Sequence, residues 1–170
     1  MYNKKVYSIV SLFFLLWSCS EEDPIKTTAL TSSGNEISLD GIWKSDCIDF
    51  TSYRLNESFD FENENLVITI HQYSSEACED PDVTETVTIT FQVLETIEAQ
   101  LNGTTVIANK VKGQQTSSRD NQSGAFKQTF YIDDASGTNI LYHGVFGDDG
   151  GATSSDGYPM DLHPFAISQE

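Results

Sequence analysis

The side chains whose spacing could support chemistry are three cysteines, three histidines and 26 acidic residues set against nine basic ones. Cys19, Cys47 and Cys78 lie far apart, and nothing near them has the spacing of a zinc site. His71, His143 and His163 fall on different expected strands. A closed sheet would bring His143 and His163 together on neighbouring strands, although ordinary strand histidines are the plainer reading. Glu79, Asp80 and Asp82 form one oxygen-rich loop, and Asp148, Asp149 and Asp156, set among glycines, form another. Both are of the kind that holds calcium, but neither follows the fixed spacing of a calcium loop, and solvated turns explain them as simply. The chain has no Gly-x-Ser-x-Gly elbow, no His-Glu-x-x-His and no phosphate loop. A carboxylate pair for glycoside hydrolysis stays open, because 26 acidic residues permit many pairings that sequence does not order. The expectation is a protein that is not an enzyme and holds no metal or cofactor.

A formal charge of −17 repels a phosphate backbone, so nucleic acid is not an expected partner. The chain has 170 residues, of which 38% are hydrophobic and 11% aromatic. Such a chain can bury one sizeable core.

Residues 1–5 are weakly basic, and residues 6–17 form an apolar run too short to cross a hydrocarbon layer of about 30 Å, which predicts a secretion signal. The run ends in Leu16-Trp17-Ser18-Cys19, which resembles the lipobox of bacterial lipoproteins and implies lipidation at Cys19. Ser20-Glu21-Glu22-Asp23 resembles the acidic export signal of Bacteroidota surface lipoproteins, implying an outer-membrane anchor, surface-exposed, held by acyl chains. Residues 1–18 are then a lipoprotein signal peptide, and residues 19–38 a lipidated N-terminus with a flexible tether rich in Thr, Ser, Gly and Asn.

With Cys19 taken by lipid, Cys47 and Cys78 remain as an even pair in an oxidising compartment, and a disulfide between them is expected. Two free buried thiols and a metal site are the competing readings.

From residue 37 onward helical periodicity is absent and period-two alternation recurs. Val83, Glu85, Val87, Ile89, Phe91 and Val93 share one face, with threonines and Gln92 on the other. The same reading places strands near 41–50, 53–61, 65–73, 83–94, 104–112, 125–132, 139–146 and 160–168. Turns fall at Asn63-Glu64, Asn102-Gly103 and Ser136-Gly137. Pro164 belongs at an edge, a bulge or a strand start. Eight antiparallel strands with short turns predict an all-β, up-and-down barrel over 39–170, with a two-sheet sandwich as the alternative.

Gly41-x-Trp43, with Leu39 before it, Cys47 after it and Tyr73-Ser74-Ser75-x-x-Cys78 ahead of the long fourth strand, resembles bacterial lipocalin-like domains. That resemblance implies a small apolar or amphipathic ligand in the barrel or at its mouth. Trp43, Tyr53, Phe59, Phe61, Phe91, Phe126, Phe130, Tyr142 and Phe146 are the expected lining. The other reading is a filled barrel that serves as a structural or interaction module, contacting an envelope or host protein through loops 114–123 and 148–158.

Overall fold

The computed structural model describes residues 27–50, 52–75, 78–119, 123–145 and 151–170. Strands β1 (Thr28–Leu30) and β2 (Glu36–Ser38) form a small separate hairpin. One larger sheet contains β3 (Gly41–Ser45), β4 (Ile48–Asp49), β5 (Arg54–Glu62), β6 (Asn65–Tyr73), β7 (Val83–Leu101), β8 (Thr104–Ser117), β9 (Ser123–Asp133), β10 (Ile140–His143) and β11 (Ile167–Gln169). Strands β5 to β11 pair antiparallel in chain order, and β3 closes the circuit between β11 and β5. The fold is a closed, eight-stranded, up-and-down antiparallel barrel, and no helix occurs among the described residues. Short β4 pairs only with the start of β5.

Register follows the apolar alternation, because a slip of one residue would turn every inward side chain to solvent. Phe59 lies opposite Ile68, Phe61 opposite Leu66, Leu66 opposite Ile89 and Val93 opposite Val111. These residues join Trp43, Phe91, Phe126, Phe130, Ile132, Leu141 and Ile167 in one buried cluster. The aromatics interlock, with Phe59 and Phe61 edge-on to Phe130 at 6.3 and 6.0 Å and Phe91 edge-on to Phe61 at 5.5 Å. Each such side chain contributes roughly 1.5–3 kcal/mol by leaving water. Trp43 is fully buried, and its indole N–H donates to the Leu39 carbonyl at 2.9 Å.

The filled end is sealed by a segment that the sequence places in a flexible tether. Residues 28–38 instead form the β1–β2 hairpin, and Ala29, Ile37 and Leu39 pack into the core. Buried Asn109 holds the hairpin there. Its Oδ1 accepts from the Leu30 N–H at 2.8 Å, while its Nδ2 donates to the Leu30 carbonyl at 2.8 Å and the Phe130 carbonyl at 3.1 Å. On the outside, Asp134 accepts from the hydroxyls of Ser33, Ser32 and Thr31, which hold its carboxyl well below the usual range.

Several strand limits differ from expectation for identifiable reasons. β7 runs on past residue 94 because the register shifts between Val93 and Thr96, a bulge at Leu94 and Glu95 that reverses the inward parity. Ala99 and Leu101 therefore face outward, into a second cluster with Ala108, Val106, Leu162, Tyr131 and Tyr142. β8 continues to Ser117, so the first part of the expected contact loop 114–123 is strand. Gly113 makes this path available, since a Cβ there would collide with the Thr90 carbonyl oxygen. β11 spans only Ile167–Gln169, and Pro164 lies outside it. Residues 151–163 are not a free loop either. Tyr158 and Pro159 are buried, and Thr129 donates its hydroxyl to the Pro159 carbonyl at 2.7 Å.

Candidate functional site at the open end of the barrel

The aromatic core fills one end of the barrel, and the opposite end is lined differently. The inward face of β5 continues from Phe61 and Phe59 to Glu57, Leu55 and the nearby Tyr53. Glu57 therefore projects among apolar neighbours. Across the barrel, His143 on β10 is paired in register with Phe130 and shares its inward face. The two side chains meet, with His143 Nε2 3.0 Å from Glu57 Oε2. Both are largely buried, at 9% and 14% side-chain exposure.

Burial pushes the Glu57 carboxyl upward, but the His143 hydrogen bond, together with the charges of His143 and His163, pulls it below its ordinary value of 4.5. The backbone N–H of His163 donates to the His143 carbonyl at 2.8 Å, and the two imidazole rings lie 4.8 Å apart. The second ring nitrogen of His143, Nδ1, is buried and has no hydrogen-bond partner among the described residues.

Two voids share this dyad as lining. The inner one, about 130 Å³, is walled by Phe59, Ile68, Ile70, Val87, Phe126 and neutral polar Gln115 and Gln128. The outer one, about 290 Å³, is walled by Ile48, Phe50, Tyr53, Leu55, His163 and Phe165. Phe50 stacks on Tyr53 at 4.9 Å and meets Phe165 edge-on at 5.7 Å, and His163 stacks on Phe165 at 6.0 Å. The loop from β6 to β7 is tied near this end by a disulfide between Cys47 and Cys78, whose Cα atoms are 6.3 Å apart. A larger groove of about 370 Å³ runs elsewhere, along the outer surface of β7, β8 and β9. It follows the close approach at Gly113 and is lined by neither histidine nor carboxylate.

The expected lining residues separate into groups. Trp43, Phe61 and Phe130 are core and line neither interior void, and Phe91 lines only the outer groove. Phe59 and Phe126 wall the inner void, and Tyr53 walls the mouth. Tyr142 is on the outside, 6.0 Å from Tyr131. Phe146, Cys19, Asp148 and Asp149 lie outside the described residues. Asp156 accepts from Lys110 at 2.8 Å and from Ser154, which lowers its pKa to about 2. Among the described residues no cluster of three or more histidine, cysteine or acidic side chains is arranged to hold a metal. Glu57 is the residue that sequence reasoning misses. Its position midway between inward Leu55 and Phe59 is the signal that could find it.

The fold and site thus define a small closed β-barrel with one packed end and one polar, aromatic-rimmed mouth. The model of the family described as SNF5 / SMARCB1 / INI1 matches residues 46–146, and the chain belongs to that family. The match takes in six of the eight barrel strands, β5 to β10. No curated protein matches the chain. The family assignment overturns the lipocalin-like resemblance, and with it the lipid-anchored outer-membrane location, the acyl anchor, the barrel cargo and the envelope or host partner. Gly41-x-Trp43 answers a packing need of closed barrels, and so small a pattern does not identify descent.

Proposed function

We propose that this chain is a non-catalytic, protein-binding subunit of the kind that the SNF5 family contributes to nuclear chromatin-remodelling complexes. The observation that carries this reading is the family match across six barrel strands. The form of the molecule supports it. The interior is packed at one end, and the remaining mouth void measures about 290 Å³. That is at the small end of the range typical of ligand sites, roughly 300 Å³ upward. A formal charge of −17 favours basic protein surfaces over phosphate backbones as partners.

The test is purification of the tagged full chain from its own cells, followed by sizing, mass spectrometry and imaging. The reading expects co-elution in a large assembly with remodelling subunits and a nuclear signal. A chain that runs at its own mass or fractionates with membranes overturns it.

A further inference from the structure

We propose that the barrel mouth is a receptor for one cationic side chain, a lysine or arginine, presented by a protein partner. This inference rests on the protein-binding reading above and names the site and the chemistry through which it would act.

Three independent features converge on a cation. The walls are aromatic, with Phe50 in contact with Tyr53 at 4.9 Å and with Phe165 at 5.7 Å. Ring faces attract ammonium and guanidinium groups. The floor carries the Glu57 carboxylate, held by His143 Nε2 at 3.0 Å. The formal charge of −17 adds a field that attracts a cation. Arg54, the cation nearest in sequence, is engaged with Asp49 at 3.1 Å.

The alternatives fit less well. An anion would meet the carboxylate, and an apolar chain would shut Glu57 away from water without adding a partner. A long ligand finds the inner end blocked by Phe59 and Phe130. One side chain with a flexible apolar stem and a charged tip matches an apolar collar of Ile48 and Leu55 above a polar floor.

The experiment titrates the oxidised full chain with end-capped Gly-Gly-Lys-Gly-Gly, its arginine counterpart and its norleucine counterpart, read by NMR on the His143, His163 and Tyr53 side chains. Saturating shifts with lysine or arginine are expected, at least fivefold weaker with norleucine, and at least fivefold weaker for lysine with Glu57→Gln. Phe165→Leu, an aromatic wall residue that does not touch Glu57 or His143 through a hydrogen bond, should weaken the lysine peptide as well, and it guards against a Glu57 variant that fails to fold. Equal binding of norleucine, or no mouth shifts at about 10 mM peptide, a concentration that reveals even very weak association, overturns the inference. A chain found in a remodelling assembly whose mouth ignores all three peptides would remove this site and keep the proposed function. Cation binding by a chain that runs alone in cells would keep the pocket chemistry and remove the partner.

Discussion

Replacing His143 with phenylalanine would leave Glu57 buried at 14% exposure without the imidazole that now sits 3.0 Å from it. Removing the partner of a buried carboxylate costs about 3–5 kcal/mol, because the surviving charge has no compensation. Glu57 also lines the mouth void of about 290 Å³, which admits water. The expected loss therefore lies toward the lower end, about 2–4 kcal/mol at pH 7. For a chain of this size that is a fall of roughly 5–15 °C in Tm. The pH dependence has a definite sign. In the native protein the folded Glu57 pKa is depressed below 4.5, so its contribution is present above pH 4.5 and disappears as pH falls through the folded value. In His143→Phe the hydrogen bond and charge of His143 are gone and only the His163 charge opposes burial, the largest cause, so the Glu57 pKa rises and the penalty at neutral pH is relieved as the carboxyl protonates. The two stability curves should converge as pH falls below the folded Glu57 pKa, and adding Glu57→Leu to His143→Phe should recover most of the loss at pH 7. Urea unfolding at pH 7 and pH 3.5, with the disulfide kept oxidised, measures both effects. A deficit under about 1 kcal/mol at pH 7, or an equal deficit at the two pH values, refutes the buried-pair reasoning.

The disulfide joins residues 31 positions apart. Removing it by Cys47→Ser with Cys78→Ser should lower stability by about 3–4 kcal/mol in urea, from the chain entropy regained on unfolding; an unchanged midpoint against the oxidised protein would show that the bond constrains nothing. Asn109→Ala strips three hydrogen bonds from the hairpin seat. It should cost about 2–4 kcal/mol, with much faster amide exchange at Leu30. Unaltered Leu30 exchange would mean that Asn109 does not hold the hairpin. A Cβ at Gly113 would meet the Thr90 backbone, whereas one at Gly124 has only a single atom as near as 4.0 Å. Gly113→Ala should therefore cost about 1–3 kcal/mol, and Gly124→Ala should stay within about 0.5 kcal/mol. Equal effects at the two glycines, compared by thermal unfolding, would contradict the close approach seen at Gly113.

The barrel was legible in the sequence where one face is consistently apolar. Over residues 83–93 the alternation is interrupted only at Glu85, and the structure pairs them in the register that the alternation demands. Legibility ended where the alternation itself changes meaning. The bulge at Leu94 and Glu95 reverses parity without any proline or glycine to announce it, which is why Ala99 and Leu101 serve an outer cluster. The hairpin of residues 28–38 was hidden for a different reason. Its turn and flanks are Ser, Thr, Gly and Asn, the composition of a linker, and its apolar contribution to the core is only Ala29, Ile37 and Leu39. Such a segment is ordered by the surface it covers, through Asn109 and Asp134, and local composition carries no record of those distant partners. The Glu57–His143 meeting depends on closure, since residues 86 positions apart face each other only once β3 joins β11 to β5.

The placement of aromatics explains why the open end carries the site. Eight strands give an interior just wide enough for side chains to fill, so a barrel of this size stays open only where its inward residues are too few, too polar or too constrained to close it. Trp43, Phe59, Phe61, Phe91 and Phe130 fill one end together with the hairpin, which leaves no room there for anything else. Toward the other end the inward positions become Glu57, Gln115, Gln128 and His143, whose polar atoms must be satisfied and cannot interdigitate as rings do. Gln128 is satisfied internally, with Oε1 accepting from the N–H of Thr129 at 2.8 Å and of Gly144 at 2.9 Å. His143 is satisfied on one nitrogen only. The unpaired nitrogen lies out of contact with solvent, so its cost is carried by the fold. Packing therefore leaves the open space of the interior at the end where the dyad sits.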